Sequence, residues 1–253
     1  MRLVTEYMIE LPDYQITQLP NSMMSVAVLL SGGLDSAVLV AEEAAHAREG
    51  QLVQPVYVSV GLAWEAAERT AVDRFLDESG LASRIQPLAA LSVDMHDVYP
   101  ATHWAMEGRP PGYHTPDEDV YLHGRNIVLL AKAGIYCASR GIARLAIGTL
   151  DHNPFPDATP EFRGALAQAL SLGLAHTLAI DAPYAKVEKA DVIRRGAALG
   201  VPMQFTLSCM NPEASSPFPR HCGRCSKCRE RHDAFLAASV PDSTDYVDRS
   251  FVH

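Results

Sequence analysis

Apolar and polar positions fall in alternating blocks along this chain, and the blocks have different periods. Residues 25–30 (Ser-Val-Ala-Val-Leu-Leu) form a continuous apolar run with β-branched side chains, the pattern of a strand buried on both faces. Residues 55–60 (Pro-Val-Tyr-Val-Ser-Val) repeat it, and a helical stretch lies between the two, ending near Gly50. Trp64, Ala67, Ala71, Val72, Phe75 and Leu76 then recur at helical spacing until Gly80 stops the helix. A third, poorer strand is read at 85–91. Residues 92–122 have little periodicity and are rich in Asp, His, Pro and Gly, so they read as a lid, a binding loop or a disordered stretch. Further on, the pattern predicts a helix over about 126–140, a strand at 145–150, a helix at 160–174 and a short strand at 177–180. A helix at 189–199 closed by Gly200 and a last helix at about 227–238 complete it.

Strands alternating with helices predict an α/β fold with a doubly wound parallel sheet. Ligands of such sheets bind at the carboxyl ends of the strands. The loops after Leu30, Val60 and Leu150 are therefore expected to meet at one pocket. Three parts are expected: an N-terminal extension (1–24), a main α/β domain (25–204) and a C-terminal segment (205–253). The chain has 253 residues, 48% of them apolar, enough for one sizeable core. A net charge of −9 argues against a broad nucleic-acid footprint, which needs a basic face. No apolar run reaches the ~20 residues of a membrane span. The acidic, polar start, Met1 to Glu6, is not a secretory signal. A cytoplasmic location is expected.

The first candidate site is Ser31-Gly32-Gly33-Leu34-Asp35-Ser36, set between a predicted strand and a predicted helix. Gly32 and Gly33 permit a sharp turn and close approach of the backbone to an anion. Exposed N–H groups at a helix start favour negative charge, and Ser31 and Ser36 can donate to phosphate oxygens. Asp35 is suited to a Mg²⁺ ion bridging phosphates rather than to phosphate itself. The glycine spacing is neither that of a Walker A loop nor that of a dinucleotide loop. A plain Gly-rich turn with a Ser or Asp cap is the bland alternative.

The second candidate is Cys209, Cys222, Cys225 and Cys228, spaced C-x12-C-x2-C-x2-C. Four thiolates without an open position suit a structural Zn²⁺ at ~2.3 Å per bond, with an iron–sulfur cluster as the alternative. His221 is a spare ligand that four cysteines make unnecessary. Because a structural metal's binding energy is folding energy, Cys225→Ser is expected to destabilise this segment more than it affects nucleotide affinity. Cys137, inside a helical pattern, reads as a small core residue.

The hexapeptide is the signature of the PP-loop ATP pyrophosphatases, which cleave ATP between the α- and β-phosphates while adenylating a substrate. With the late cysteine pattern and this length, the chain resembles the 7-cyano-7-deazaguanine synthase family within them, over about residues 25–236. Supporting stretches are Gly124-Arg125-Asn126, Gly148, Phe155-Pro156-Asp157, Pro160-Glu161-Phe162, Lys189-Ala190 and Ser208-Cys209. The resemblance implies an adenine nucleotide alpha hydrolase-like sheet with a small C-terminal zinc-binding helical appendage. It implies an ATP-dependent carbon–nitrogen ligase that uses Mg²⁺, a small-molecule acid and ammonia, and converts 7-carboxy-7-deazaguanine to the nitrile. It leaves room for a homodimer. By it, Asp35, Arg125 and Asn126 are catalytic, and Ser31 to Ser36 with Gly148 bind ATP. Trp64, Asp151, Phe155 and Asp157 become candidates for the substrate side.

The chain departs from that pattern at two places. After the second strand the family shows an aromatic residue and then Gln-Arg-His; here Val60-Gly61-Leu62-Ala63-Trp64-Glu65 stands. Ala158-Thr159 likewise stands where Cys-Arg is usual. Loss of three hydrogen-bonding side chains predicts weak binding of the polar heterocycle, unless His114 or His123 of the long loop replaces them. Two alternatives follow: the same activation applied to another acid or to a macromolecular group, and a degenerate nucleotide-binding partner subunit.

Overall fold

The structure is a computed structural model that describes residues 24–214 and 218–251; the N-terminal extension lies outside them apart from Met24. Five strands form one sheet: β1 (Met24–Leu29), β2 (Leu52–Ser59), β3 (Ala89–Ser92), β4 (Arg144–Ala146) and β5 (Ala179–Asp181). Their order is β3-β2-β1-β4-β5 and every pairing is parallel.

The apolar runs explain the sheet. On β1, Val26 and Val28 enter one buried cluster, joined by Leu30 just after the strand, while Ala27 and Leu29 enter the other, so both faces are covered. Against the first face pack α1 (Leu34–His46), α6 (Lys189–Ala198) and α7 (Ser226–Ala238), through Val38, Leu39, Val192, Ile193 and Phe235. Against the second pack α4 (Arg125–Ser139) and α5 (Pro160–Leu174), through Leu129, Leu130, Cys137 and Leu170. The four late cysteines belong to this second cluster. The core role expected of Cys137 holds: it is fully buried. No helix among the described residues is long and apolar enough to cross a membrane.

Two expectations shift. The third strand lies at 89–92, because Ile85 makes only an isolated bridge with Val53 and Pro87 intervenes. The long stretch at 92–122 carries local structure that its composition hid. The short helix α3 (Trp104–Glu107) is capped by His103, whose Nδ1 accepts from Ala105 N–H, and is closed by Gly108 at φ +70°. A 3₁₀ turn follows at Asp117–Val120. The remaining helix, α2 (Glu65–Glu78), lies over the carboxyl end of the sheet beside the β1 loop.

Candidate active site

Chain order reverses between β1 and β4, which are neighbours in the sheet although four α-helices and two strands separate them in sequence. Such a reversal opens a crevice at the carboxyl ends of the strands. A cavity of about 280 Å³ lies there, walled by Ser31, Gly33 and Asp35 after β1 and by Gly148, Thr149 and Leu150 after β4. Two glycines make the crevice tight. Gly32 has φ +80°, and a Cβ on it would lie 2.9 Å from the Glu68 carbonyl oxygen. A Cβ on Gly148 would lie 3.3 Å from the backbone of Asp35 and Ser36.

The phosphate loop is braced from within and from the C-terminal segment. Ser36 Oγ donates to the Gly33 carbonyl (2.9 Å), and Ser31 N–H donates to Ser36 Oγ (3.3 Å). Leu207 N–H donates to the Gly32 carbonyl (2.7 Å). Ser36, read from sequence as a phosphate donor, is buried and serves the turn, while Ser31 faces the cavity.

Four charged side chains form a chain along one wall. Lys189 Nζ donates to Asp35 Oδ2 (3.1 Å) and to Glu230 Oε1 (2.5 Å), and Lys227 Nζ donates to Glu230 Oε2 (2.5 Å). Burial works against the Lys189 charge, but Asp35 and Glu230 together outweigh it and raise its pKa. Burial likewise opposes the Glu230 charge, yet the two lysines hold that carboxyl down at about 2. Among the described residues, Asp35 Oδ1 and Arg125 Nε are both buried without a hydrogen-bond partner. An orphaned acceptor and an orphaned donor in one cavity fit a ligand carrying a cation and an anionic group together. A Mg²⁺-bound triphosphate has that character, so the residues present fit both ion and nucleotide.

The opposite wall is aromatic. Trp64 and Trp104 stack with ring centroids 5.8 Å apart and planes within 11°, and Phe155 faces the cavity backed by Tyr121 at 5.0 Å. Trp64 Nε1–H donates to Glu68 Oε1 (3.0 Å), and Tyr57 O–H donates to Glu68 Oε2 (3.2 Å). Burial pushes the Glu68 carboxyl up to about 7, with Arg125 opposing the shift.

The sequence candidates divide into three groups. Ser31, Gly33, Leu34, Asp35, Arg125, Gly148, Trp64 and Phe155 line the cavity. Asn126 and Asp157 do not: the Asp157 carboxylate accepts from Asn126 N–H (3.2 Å) and from its Nδ2 (3.1 Å), which fixes the start of α4 beside Arg125. Asp151 lies outside as well; its carboxylate accepts from His152 N–H and forms a tight turn. The expectation that His114 or His123 supplies lost hydrogen bonds is corrected. His114 walls a different cavity, and the long loop contributes Trp104, Val120 and Leu122 here. Sequence reasoning missed Glu68, Trp104, Lys227 and Glu230, and gave Lys189 no role. Glu68 had one usable signal: it stands four residues after Trp64, on the same helical face.

The cysteines form a separate cluster. Their Sγ atoms lie within 4.8 Å of one another, with pairs at 3.5 Å (Cys225–Cys228), 3.9 Å (Cys222–Cys228) and 4.0 Å (Cys225–Cys209). A tetrahedral site with bonds of ~2.3 Å has S–S edges of about 3.8 Å, so the set fits one metal ion. Backbone N–H groups of Asn211 and Cys222 point at the Cys209 sulfur, as thiolate ligands require. His221 is not a ligand; its Nε2 accepts from Ser208 N–H (3.1 Å), and burial holds it neutral. In a second group His152 and Glu188 are exposed and Asp151 is half-buried.

The family model described as "Queuosine biosynthesis protein QueC" matches residues 25–239. A 7-cyano-7-deazaguanine synthase of Magnetococcus marinus is 32% identical over 243 residues, covering 89% of this chain and 98% of its own. One of Azoarcus sp. is 33% identical over 246 residues, covering 92% and 100%. Another, of Allorhizobium ampelinum, is 34% identical over 241 residues, covering 90% and 94%.

Proposed function

This chain belongs to the queuosine biosynthesis protein QueC family, and from that membership we propose that it is an ATP-dependent ligase making 7-cyano-7-deazaguanine from 7-carboxy-7-deazaguanine and ammonia. The observation that carries this is the pair of orphaned polar atoms, Asp35 Oδ1 and Arg125 Nε, in a cavity bounded by the phosphate loop.

The residues divide the work as follows. The N-terminus of α1 and Gly33 offer N–H groups and a favourable dipole to the β- and γ-phosphates. Arg125, whose start of α4 is fixed by Asp157, meets the charge that develops on the departing pyrophosphate. Asp35, oriented by Lys189, would hold Mg²⁺, which when bound neutralises phosphate charge. The flat Trp64–Trp104 wall suits the face of a fused heterocycle. The acid's carboxylate oxygen attacks the α-phosphate, pyrophosphate leaves, and ammonia displaces AMP to give the amide. A second adenylation, on the amide oxygen, and loss of AMP give the nitrile. The four cysteines would hold a structural Zn²⁺, since they close the tetrahedron and leave no open position. The cytoplasm is the location this chemistry suits.

One observation favours a second reading, the same activation on another acid: Leu62 and Trp64 are buried where the resembled family places hydrogen-bonding residues. The family match over residues 25–239 and the 32% identity to a 7-cyano-7-deazaguanine synthase favour the first reading. Pyrophosphate release measured across candidate acids, with mass spectrometry of the products, separates the two. Release dependent on 7-carboxy-7-deazaguanine, with a product of nitrile mass, is expected. Release with a different acid only would overturn the proposal in favour of the second reading.

A further inference from the structure

Glu68 is a buried carboxyl that ATP binding does not explain. Only 8% of it is exposed, and no ion pair within 4.0 Å accompanies it among the described residues. Two neutral donors, Trp64 Nε1–H and Tyr57 O–H, hold it. A carboxylate kept out of water without a charged partner is costly, and such groups concentrate where proton transfer is needed.

Its position is as unusual as its burial. Glu68 and Arg125 line the main cavity, and both also line a second void of about 30 Å³ behind the phosphate loop. Leu29, Leu30, Ser31, Val56 and Tyr57 enclose that void, which has room for about one molecule the size of water or ammonia. Tyr57 also walls an outer cleft of about 470 Å³ with Ser59, Glu65, Arg69 and Ser92. Glu68 thus stands where a small polar molecule, held behind the loop, would meet the reacting end of the cavity.

We propose that Glu68 is the base that takes the proton from the ammonia nitrogen as it attacks the adenylate, with the void behind the phosphate loop as the place from which that nitrogen comes. The inference rests on the ligase function proposed above. In the step, the ammonia nitrogen bonds to the acyl carbon and one N–H proton passes to the Glu68 carboxylate. The bond from acyl carbon to bridging oxygen breaks, and its electron pair leaves on AMP. Glu68 later returns the proton to solvent. Four groups facing it set its readiness: Arg125 and the hydrogen bonds from Trp64 and Tyr57 favour the charged form, while Glu65 disfavours it. With burial added, the carboxyl lies near 7, close to the operating pH at which a general base is most effective.

The test uses the full chain as wild type, Glu68→Gln and Glu68→Asp. Two reactions are followed: acid-dependent ATP–pyrophosphate exchange without ammonia, and amide formation with ammonium from about pH 6 to about pH 9. In Glu68→Gln, exchange is expected to stay within about threefold of wild type while amide formation falls on the order of 10²–10³-fold. The acid limb near neutrality, present in wild type, should be absent. Hydroxylamine, a nucleophile that needs less help from a base, should restore adenylate consumption. Glu68→Asp should retain the limb with a reduced rate. Loss of exchange in parallel with amide formation would overturn the inference, because Glu68 would then serve binding or folding. Retention of both rate and limb would overturn it equally. If wild type shows no exchange with 7-carboxy-7-deazaguanine, the underlying function fails, and this inference with it.

Discussion

Asp35→Asn is expected to lose pyrophosphate release on the order of 10³-fold while the protein stays folded. The carboxylate divides its oxygens: Oδ2 accepts from Lys189, and Oδ1, buried, has no partner among the described residues. Asparagine keeps the shape but removes the charge that would draw a divalent cation to the phosphates. Its amide nitrogen would also be a donor facing either Lys189 or the ion. The fold should tolerate the change because Lys189 keeps Glu230, and Asp35 contributes nothing to either apolar cluster. Pyrophosphate release and the thermal unfolding midpoint, measured on the same preparation, check both halves. Near-normal release would show that Asp35 is not the residue that holds the ion.

Cys225→Ser is expected to lose the bound metal, destabilise the protein and slow turnover together. Wild type should carry one ion per chain by elemental analysis and show no iron charge-transfer band. Metal binding energy in a closed thiolate site is folding energy, roughly 10 kcal/mol in small zinc domains, so losing a ligand is costly. The expectation from sequence is that the segment is destabilised more than ATP affinity is affected, and the structure adds a route by which turnover falls as well. Cys225 is the N-cap of α7, Cys228 lies in its first turn, and Lys227 and Glu230 reach into the cavity from that turn. Leu207, which donates to the phosphate loop, is two residues before Cys209. A displaced ligand set therefore moves groups that line the reaction cavity. Turnover should fall by roughly tenfold or more, corresponding to about 1.4 kcal/mol or more. Unfolding midpoints with unchanged turnover would contradict this.

What could be read from sequence follows a physical division. Ser31 to Ser36 and the four cysteines were legible because their chemistry is set by local spacing. The sheet was legible because both its faces are buried, which leaves continuous apolar runs in β1 and β2. The wall of Lys189, Glu230 and Lys227 was not legible: Lys189 opens α6, the other two come from α7, and only packing brings them to Asp35. Trp104 was hidden in a stretch whose composition suggested no structure, since a single helical turn leaves no periodicity to detect. At Leu62, Ala63 and Trp64 the sequence showed only apolar residues where the resembled family has hydrogen-bonding ones. What the segment gained was invisible in one dimension: the Trp64 indole N–H binds Glu68 one helical turn on.

The central claim, that ATP activates a carboxylate oxygen here, is tested most directly with 7-carboxy-7-deazaguanine labelled with ¹⁸O in both carboxylate oxygens. Adenylation followed by attack at carbon moves the attacking oxygen onto AMP. Each turnover to nitrile should release AMP bearing one labelled oxygen at each of the two steps, with pyrophosphate unlabelled. Unlabelled AMP, or ADP and labelled phosphate in its place, would contradict the account.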